Sequence, residues 1–243
     1  MSSNKTALVT GAAARIGAAI ARKLHDRGCN VIIHYNASDD EAERLAGALN
    51  ERREGSAAVA SADLSNLKAV DALAERVREI LNTWGGGLDV LVNNASRFYP
   101  TAIGETRLYE WEDLVNSNLR GPYFLIQALL TPLLESGGNI VNLLDIHSDR
   151  PMPEHPVYCA SKAGLRMMTL SLAAELGPDV RVNGVSPGAI LWPDREVSEN
   201  AKAAILSRTA LKRLGDPDDI ASAVAFLALD APYVTGEIIR VDG

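Results

Sequence analysis

Short apolar runs, many of them β-branched, alternate along the chain with longer stretches in which apolar residues recur at helical spacing. The short runs predict strands at Ala7–Val9, Asn30–Tyr35, Ala57–Ala60, Leu88–Val92, Asn139–Leu144, Arg181–Val185 and Ile238–Val241. Several are apolar at almost every position and leave no wet face, which implies a sheet covered on both sides. The longer stretches predict helices near Ile16–Arg27, Asp39–Arg53, Leu67–Asn82, Trp111–Leu134, Val157–Leu176 and Pro217–Leu227, with Gly or Pro often at their ends. Repeated strand–helix–strand units of this kind build an α/β fold, a doubly wound and mainly parallel seven-stranded sheet with helices on both faces. No linker composition interrupts the alternation, so residues 1–243 read as a single domain. The one long unassigned stretch, within 190–213, is a candidate substrate lid.

Composition narrows the function classes. A chain of 243 residues that is 47% hydrophobic supports one well-buried core. A net charge of −7 argues against a general affinity for nucleic acid or anionic membranes. Cys29 and Cys159 stand at no metal-ligand spacing and are too few for a disulfide framework, so no metal is expected and a reducing, cytoplasmic compartment is. Met1 to Lys5 leads into the first strand without a signal-type apolar stretch, and no segment approaches membrane-spanning length.

Candidate chemistry begins where the first strand meets the first helix, at Thr10-Gly11-Ala12-Ala13-Ala14-Arg15-Ile16-Gly17. Glycines there let the backbone approach a pyrophosphate, and the free amides of the helix start face its charge. A purely structural turn is the other reading of this motif alone. The second strand ends in His34-Tyr35-Asn36-Ala37-Ser38, with no carboxylate at the strand end. Dinucleotide-binding folds choose there between a ribose hydroxyl and a ribose phosphate, and Ser38 before a helix, with Arg15 nearby, favours NADP(H) over NAD(H). Asn93-Asn94-Ala95-Ser96 after the fourth strand forms either a cofactor-side turn or ordinary turn capping.

The most informative arrangement is Asp145 at the end of the fifth strand, Tyr158 thirteen residues later and Lys162 four beyond that on a predicted helix. Positions i and i+4 share a helix face. A nearby ammonium stabilises phenolate and brings Tyr158 into a range useful for proton transfer. The pair alone also occurs as a plain helix-surface contact. Its conjunction with the glycine turn places all three features at the carboxyl edge of one parallel sheet.

Thr10-Gly11…Gly17, Asn93-Asn94-Ala95, Asn118, Tyr158…Lys162 and Pro187-Gly188, in this order and spacing, resemble the short-chain dehydrogenase/reductase family over essentially the whole chain. The resemblance implies a Rossmann-like sheet and Tyr158 as proton donor. It implies that Lys162 holds the nicotinamide ribose and lowers the Tyr158 pKa, and that Asn118 supports a helix kink and a proton-relay water. Pro187 and Gly188 would flank the nicotinamide, and Asp63 and Leu64 would also contact the cofactor. Three departures stand out: Arg15 replaces a Gly of the first motif, Ser96 replaces the last Gly of the second, and Asp145 replaces the usual Ser. With His34-Tyr35, Asp63-Leu64-Ser65 and Ser96-Arg97-Phe98-Tyr99-Pro100, they resemble the pteridine reductases and the related bacterial dihydrofolate and dihydromonapterin reductases. That resemblance implies an NADPH-dependent reductase of pterins or folates. The substrate ring would lie between Phe98 and the nicotinamide, contacted by Arg15, Ser96, Asp145 and Tyr158, with Trp192 near the pocket. A basic residue often found near position 37 is absent, Ala37 standing there.

Two rivals stay open. One is a carbonyl reductase acting on an oxoacyl or sugar-like substrate. The other is a non-catalytic dinucleotide-binding sensor, which would have no use for Tyr158, Lys162 and Asn118 together. The family resemblance further implies a homotetramer, for which the Leu-rich segment Leu119–Leu134 offers either an interface or a helix buried within one subunit.

Overall fold

The computed structural model describes residues 4–192 and 198–243. Seven strands form one sheet: β1 (Thr6–Val9), β2 (Asn30–Tyr35), β3 (Ala57–Ser61), β4 (Val90–Asn93), β5 (Asn139–Leu143), β6 (Arg181–Pro187) and β7 (Ile238–Val241). Their order is β3-β2-β1-β4-β5-β6-β7, and every neighbouring pair is parallel. Strand order reverses between β1 and β4, the switch point at which open α/β sheets open a crevice beyond their carboxyl ends.

The helices are α1 (Arg15–Asp26), α2 (Asp39–Arg52), α3 (Leu67–Trp84), α4 (Leu108–Val115), α5 (Gly121–Ala128), α6 (Leu130–Ser136), α7 (Pro156–Leu176), α8 (Glu199–Arg208) and α9 (Pro217–Ala225). Side chains along a strand alternate between faces. Ala7, Val9, Val31, Ile33, Val92 and Val141 accordingly pack with residues of α1, α2 and α9. Leu8, Ile32, Leu91, Ile140 and Val182 pack with α3, α5 and α7 on the opposite face. Both layers are dry at the sheet, as the uniformly apolar runs predict.

The expected helix over Trp111–Leu134 is broken. A π-helical turn at Asn116–Arg120 separates α4 from α5, and Leu129 (φ −104°, ψ 13°) separates α5 from α6. Proline is the physical cause in both places: Pro122 has no N–H to give the Asn118 carbonyl, and Pro132 none for Ala128. The guanidinium of Arg78 donates to that Ala128 carbonyl instead, at 2.7 Å. Of the leucines of this segment, Leu125, Leu129 and Leu133 are buried inside the subunit, so the intrasubunit alternative holds for these three, while Leu134 is exposed. α9 likewise stops at Ala225 and continues as a π turn over Phe226–Asp230, short of the helical end expected at Leu227.

Within the candidate lid, α8 occupies Glu199–Arg208, while 193–197 lie outside the described residues. No helix among the described residues is long and apolar enough to cross a membrane.

Candidate active site

The carboxyl ends of the strands bring most of the sequence-predicted residues together. A cavity of about 470 Å³ is lined by Gly11, Arg15, Ile16 and Gly17 after β1, and by His34, Tyr35, Asn36 and Ser38 at the end of β2. Asp63 and Leu64 after β3, with Ala95 and Ser96 after β4, close it.

The turn after β1 is built for close approach. Gly11 has φ +62°, and a Cβ there would meet the Ala95 Cα at 3.0 Å. At Gly17 a Cβ would lie 2.1 Å from the Gly11 carbonyl oxygen, so no side chain fits. Arg15 adopts φ 54°, a left-handed conformation costing about 1 kcal/mol for a residue with a Cβ. Such strain is held where the side chain is used. The N-cap of α1 is Ala14, with no side-chain cap and no acidic residue in the first turn. Its leading N–H groups therefore lack intrahelical partners and border the cavity, the arrangement that binds a phosphate. These features fit the pyrophosphate of a dinucleotide.

His34 lines the cavity with an uncharged ring. Burial pushes its imidazole pKa down to about 4, so the ring is neutral at pH 7. Nδ1 accepts the Gly11 N–H at 3.1 Å, leaving Nε2–H to donate to the Ala62 carbonyl at 3.1 Å. Both nitrogens are committed, and His34 shapes the glycine turn from behind. Beside it, the Tyr35 hydroxyl donates to the Asp39 carboxylate, and Ser38 caps α2 without a side-chain hydrogen bond of its own.

Asn93 departs from its expected place beside the cofactor. It is buried, donates to Asn142 Oδ1 at 2.8 Å, and does not line the cavity. Asn94 takes the expected place: its Nδ2 donates to the carbonyls of Thr10 (2.8 Å) and Gly11 (3.1 Å), fastening the β4 loop to the β1 turn. Side chains alternate along a strand, so the last strand residue, Asn93, points into the layer below and its neighbour faces the crevice.

A second cluster lies at the end of β5. The Tyr158 hydroxyl donates to Asp145 Oδ2 at 2.7 Å. Phe98 meets the Tyr158 ring edge-on, with centroids 4.8 Å apart. Lys162 is buried, donates to the Leu143 carbonyl at 2.9 Å, and places Nζ 6.0 Å from the Tyr158 ring centroid. The expected lowering of the Tyr158 pKa is not what this geometry gives. Burial, then the Asp145 charge and hydrogen bond, push it well above the usual value near 10. Burial also pulls Lys162 down to about 8, with Asp145 opposing. A desolvated ammonium engaged with a carbonyl does not offset a carboxylate in direct contact with the phenol. Tyr158 is held as a phenol.

Asn118 joins the two clusters. Fully buried in the π turn, it accepts the Arg97 N–H at 2.8 Å and donates to the Arg97 carbonyl at 2.9 Å. It also accepts from Ser96 Oγ at 3.2 Å and donates to Ser161 Oγ at 3.2 Å. The loop carrying Ser96 and Phe98 is thereby fixed to α7. Arg97 pairs with Asp63 at 3.3 Å and with Asp113, tying the same loop to the end of β3 and to α4. Sequence reasoning quoted Arg97 within a motif without giving it a role. No periodicity marks it, and only the charge of Asp63 and Asp113 hints at a partner.

Trp192 is brought to the first cluster through its backbone, its carbonyl accepting from Arg15 at 3.3 Å, and its ring lies 5.9 Å from Lys202 Nζ. Pro187 ends β6, and the Gly188 N–H donates to the Val241 carbonyl at 3.0 Å. Both sit on the same sheet edge, outside the lining of the 470 Å³ cavity.

The family described as Enoyl-(Acyl carrier protein) reductase matches residues 11–243. The chain is 36% identical to 3-oxoacyl-(acyl-carrier-protein) reductase FabG of Staphylococcus epidermidis, over 99% of this chain and 98% of that protein. It is 35% identical to 3beta-hydroxysteroid dehydrogenase 1 of Eggerthella lenta, over 98% and 92% of the two chains. It is also 35% identical to Pteridine reductase 1 of Leishmania tarentolae, over 98% and 94%.

Proposed function

The chain belongs to the short-chain dehydrogenase/reductase family and is an oxidoreductase, and from that premise we propose that it is an NADPH-dependent pteridine reductase. The observation that carries the reading is the 2.7 Å hydrogen bond from Tyr158 to Asp145 beside the ring of Phe98. A carboxylate at that position cannot donate a hydrogen bond to a carbonyl oxygen as the family's usual serine can, whereas the carboxylate–phenol pair offers a proton donor, and Phe98 a flat surface, to a heterocycle. Tyr158 is that donor.

Bound NADPH supplies the hydride, which goes to the pyrazine ring of the pterin. The α1 amides, Arg15 and Ser38 would hold its phosphates, Asp63 and Leu64 would border its adenine end, and Lys162 with Pro187 and Gly188 would flank its nicotinamide end. The Tyr158 hydroxyl would turn from Asp145 to give its proton to the ring nitrogen, and Asp145, once protonated from solvent, would donate a replacement proton to the phenolate left behind. Arg15 and Ser96 stand where cofactor and substrate meet, with Trp192 at the rim. Asn118 fixes the loop that presents Phe98. Cytoplasmic residence and a homotetramer belong to the same proposal, and light scattering of the purified protein tests the assembly.

A second reading, reduction of 3-oxoacyl thioesters, is favoured by the 36% identity to the acyl-carrier-protein reductase. NADPH oxidation in the presence of dihydrobiopterin, dihydromonapterin, dihydrofolate, acetoacetyl-CoA and simple ketones, with NADH in parallel, separates the two. Turnover confined to pterins supports the proposal. Turnover confined to thioesters or ketones replaces it with the second reading.

A further inference from the structure

The ring of His155 lies against Phe98 with centroids 4.8 Å apart and planes only 12° from parallel. His155 is buried at the N-cap of α7, three residues before Tyr158. Tyr158 meets the same Phe98 at 80°. Two side chains from the start of one helix thus grip a loop phenylalanine, one on a face and one at an edge. Phe98 keeps 41% of its surface exposed, away from the face that His155 covers.

The grip is itself anchored. His155 Nδ1 lies 2.8 Å from the Pro153 carbonyl. A carbonyl only accepts, so Nδ1 carries a proton and donates. Nε2 is buried without a hydrogen-bond partner among the described residues. An apolar ring would stack there without burying an unsatisfied nitrogen, which is unfavourable. The bond to Pro153, which fixes the plane of the imidazole, is what a histidine adds.

Resting on the reading that the substrate is a flat ring stacked on Phe98, we propose that His155 is a positioning residue that sets the plane of that substrate. A ring nitrogen holds its lone pair in the plane of the ring, so its proton must arrive edge-on. A substrate parallel to Phe98, and hence to His155, stands nearly perpendicular to the Tyr158 ring and presents its edge toward the phenol side of the site. Tilting Phe98 swings that edge away, and small misplacements of reacting groups cost rate steeply. His155 acts on the chemistry only through Phe98.

Two substitutions separate the parts of this role. His155→Phe keeps the stacked ring and loses the bond to Pro153, while His155→Asn keeps a donor for Pro153 and loses the ring. His155→Asn is expected to lower kcat/KM for the pterin about tenfold, and His155→Phe to stay within about threefold of wild type. NADPH affinity should be unchanged in both. In a Phe98→Leu background the Asn substitution should cost less than about twofold, because the residue it acts through is gone. A His155→Asn enzyme as active as wild type, or an undiminished tenfold loss in the Phe98→Leu background, overturns the proposal. Absence of pterin turnover by the wild type would instead sink the substrate reading on which it rests, before any variant is made.

Discussion

The hydroxyl of Tyr158 donates to Oδ2 of Asp145 at 2.7 Å, tying the start of α7 to the end of β5. Thirteen residues separate the two in sequence, and the parallel sheet delivers both to one edge. The contact explains why a buried tyrosine stays protonated next to a lysine. On the function proposed above, it also sets this site apart from one built to hold a carbonyl.

Replacing Asp145 by Asn removes the charge that opposes Tyr158 ionisation and leaves burial in place. The phenol should then titrate at lower pH than in wild type, while remaining above the usual value near 10. Ultraviolet difference titration of the two proteins reads this directly. A Tyr158 titration that does not move would show that Asp145 has no hold on the phenol.

Lys162 has its pKa lowered to about 8 from 10.5. Between those values the unfolded chain binds a proton that the folded one lacks, so stability rises with pH across this window and its loss is complete below about 8. The shift corresponds to about 3 kcal/mol at neutral pH. Lys162→Met should therefore raise Tm at pH 7 while abolishing turnover, and its advantage should shrink as pH increases from 8 to 10.5. Thermal melts over that range provide the comparison, and a Met variant less stable at pH 7 would contradict it.

His34, with its pKa lowered to about 4 from 6.5, gives an acid counterpart. Stability present above 6.5 is lost as pH falls toward 4, by about 3 kcal/mol in total. His34→Gln should flatten this acid limb of the Tm profile. It should also weaken NADPH binding, because the ring accepts the Gly11 N–H.

Arg15, at a positive φ, borders the cavity beside the amides that open α1. Arg15→Ala should weaken NADPH binding about tenfold or more and NADH binding much less, a charge-assisted phosphate contact being worth about 2 kcal/mol. Fluorescence titration with the two cofactors measures it. Equal losses would place Arg15 on the pyrophosphate instead of the ribose phosphate.

The sheet was legible because its strands are short, mostly apolar runs: Asn30–Tyr35 and Ile238–Val241 have the predicted bounds, the first buried along its middle and the second, at the sheet edge, only partly covered. What sequence periodicity hid was the break within Trp111–Leu134. The apolar spacing continues through it, and the interruption depends on Pro122 and Pro132 withholding single hydrogen bonds. In the site, the order of Gly11, Tyr158 and Lys162 was readable because each is fixed by local spacing. The roles of His34 and Asn93 were not, because burial decides that the His34 ring is uncharged and strand parity turns Asn93 to the layer beneath the crevice. The Tyr158 pKa was misread for a related reason: an i, i+4 lysine is visible in sequence, and the carbonyl of Leu143 that occupies its ammonium is not. His155 carried no signal, since its function lies in a stack with Phe98, 57 residues away.

The central claim is that Asp145 beside Tyr158 makes this a reductase of ring nitrogens. It is tested most directly by kcat/KM for dihydrobiopterin and for acetoacetyl-CoA, measured with NADPH on the wild type and on Asp145→Ser. The account predicts that the wild type favours the pterin, and that the serine variant loses about a hundredfold or more of that activity while gaining on the thioester. A wild type that favours the thioester, or a serine variant that reduces the pterin as well as the wild type does, would contradict it.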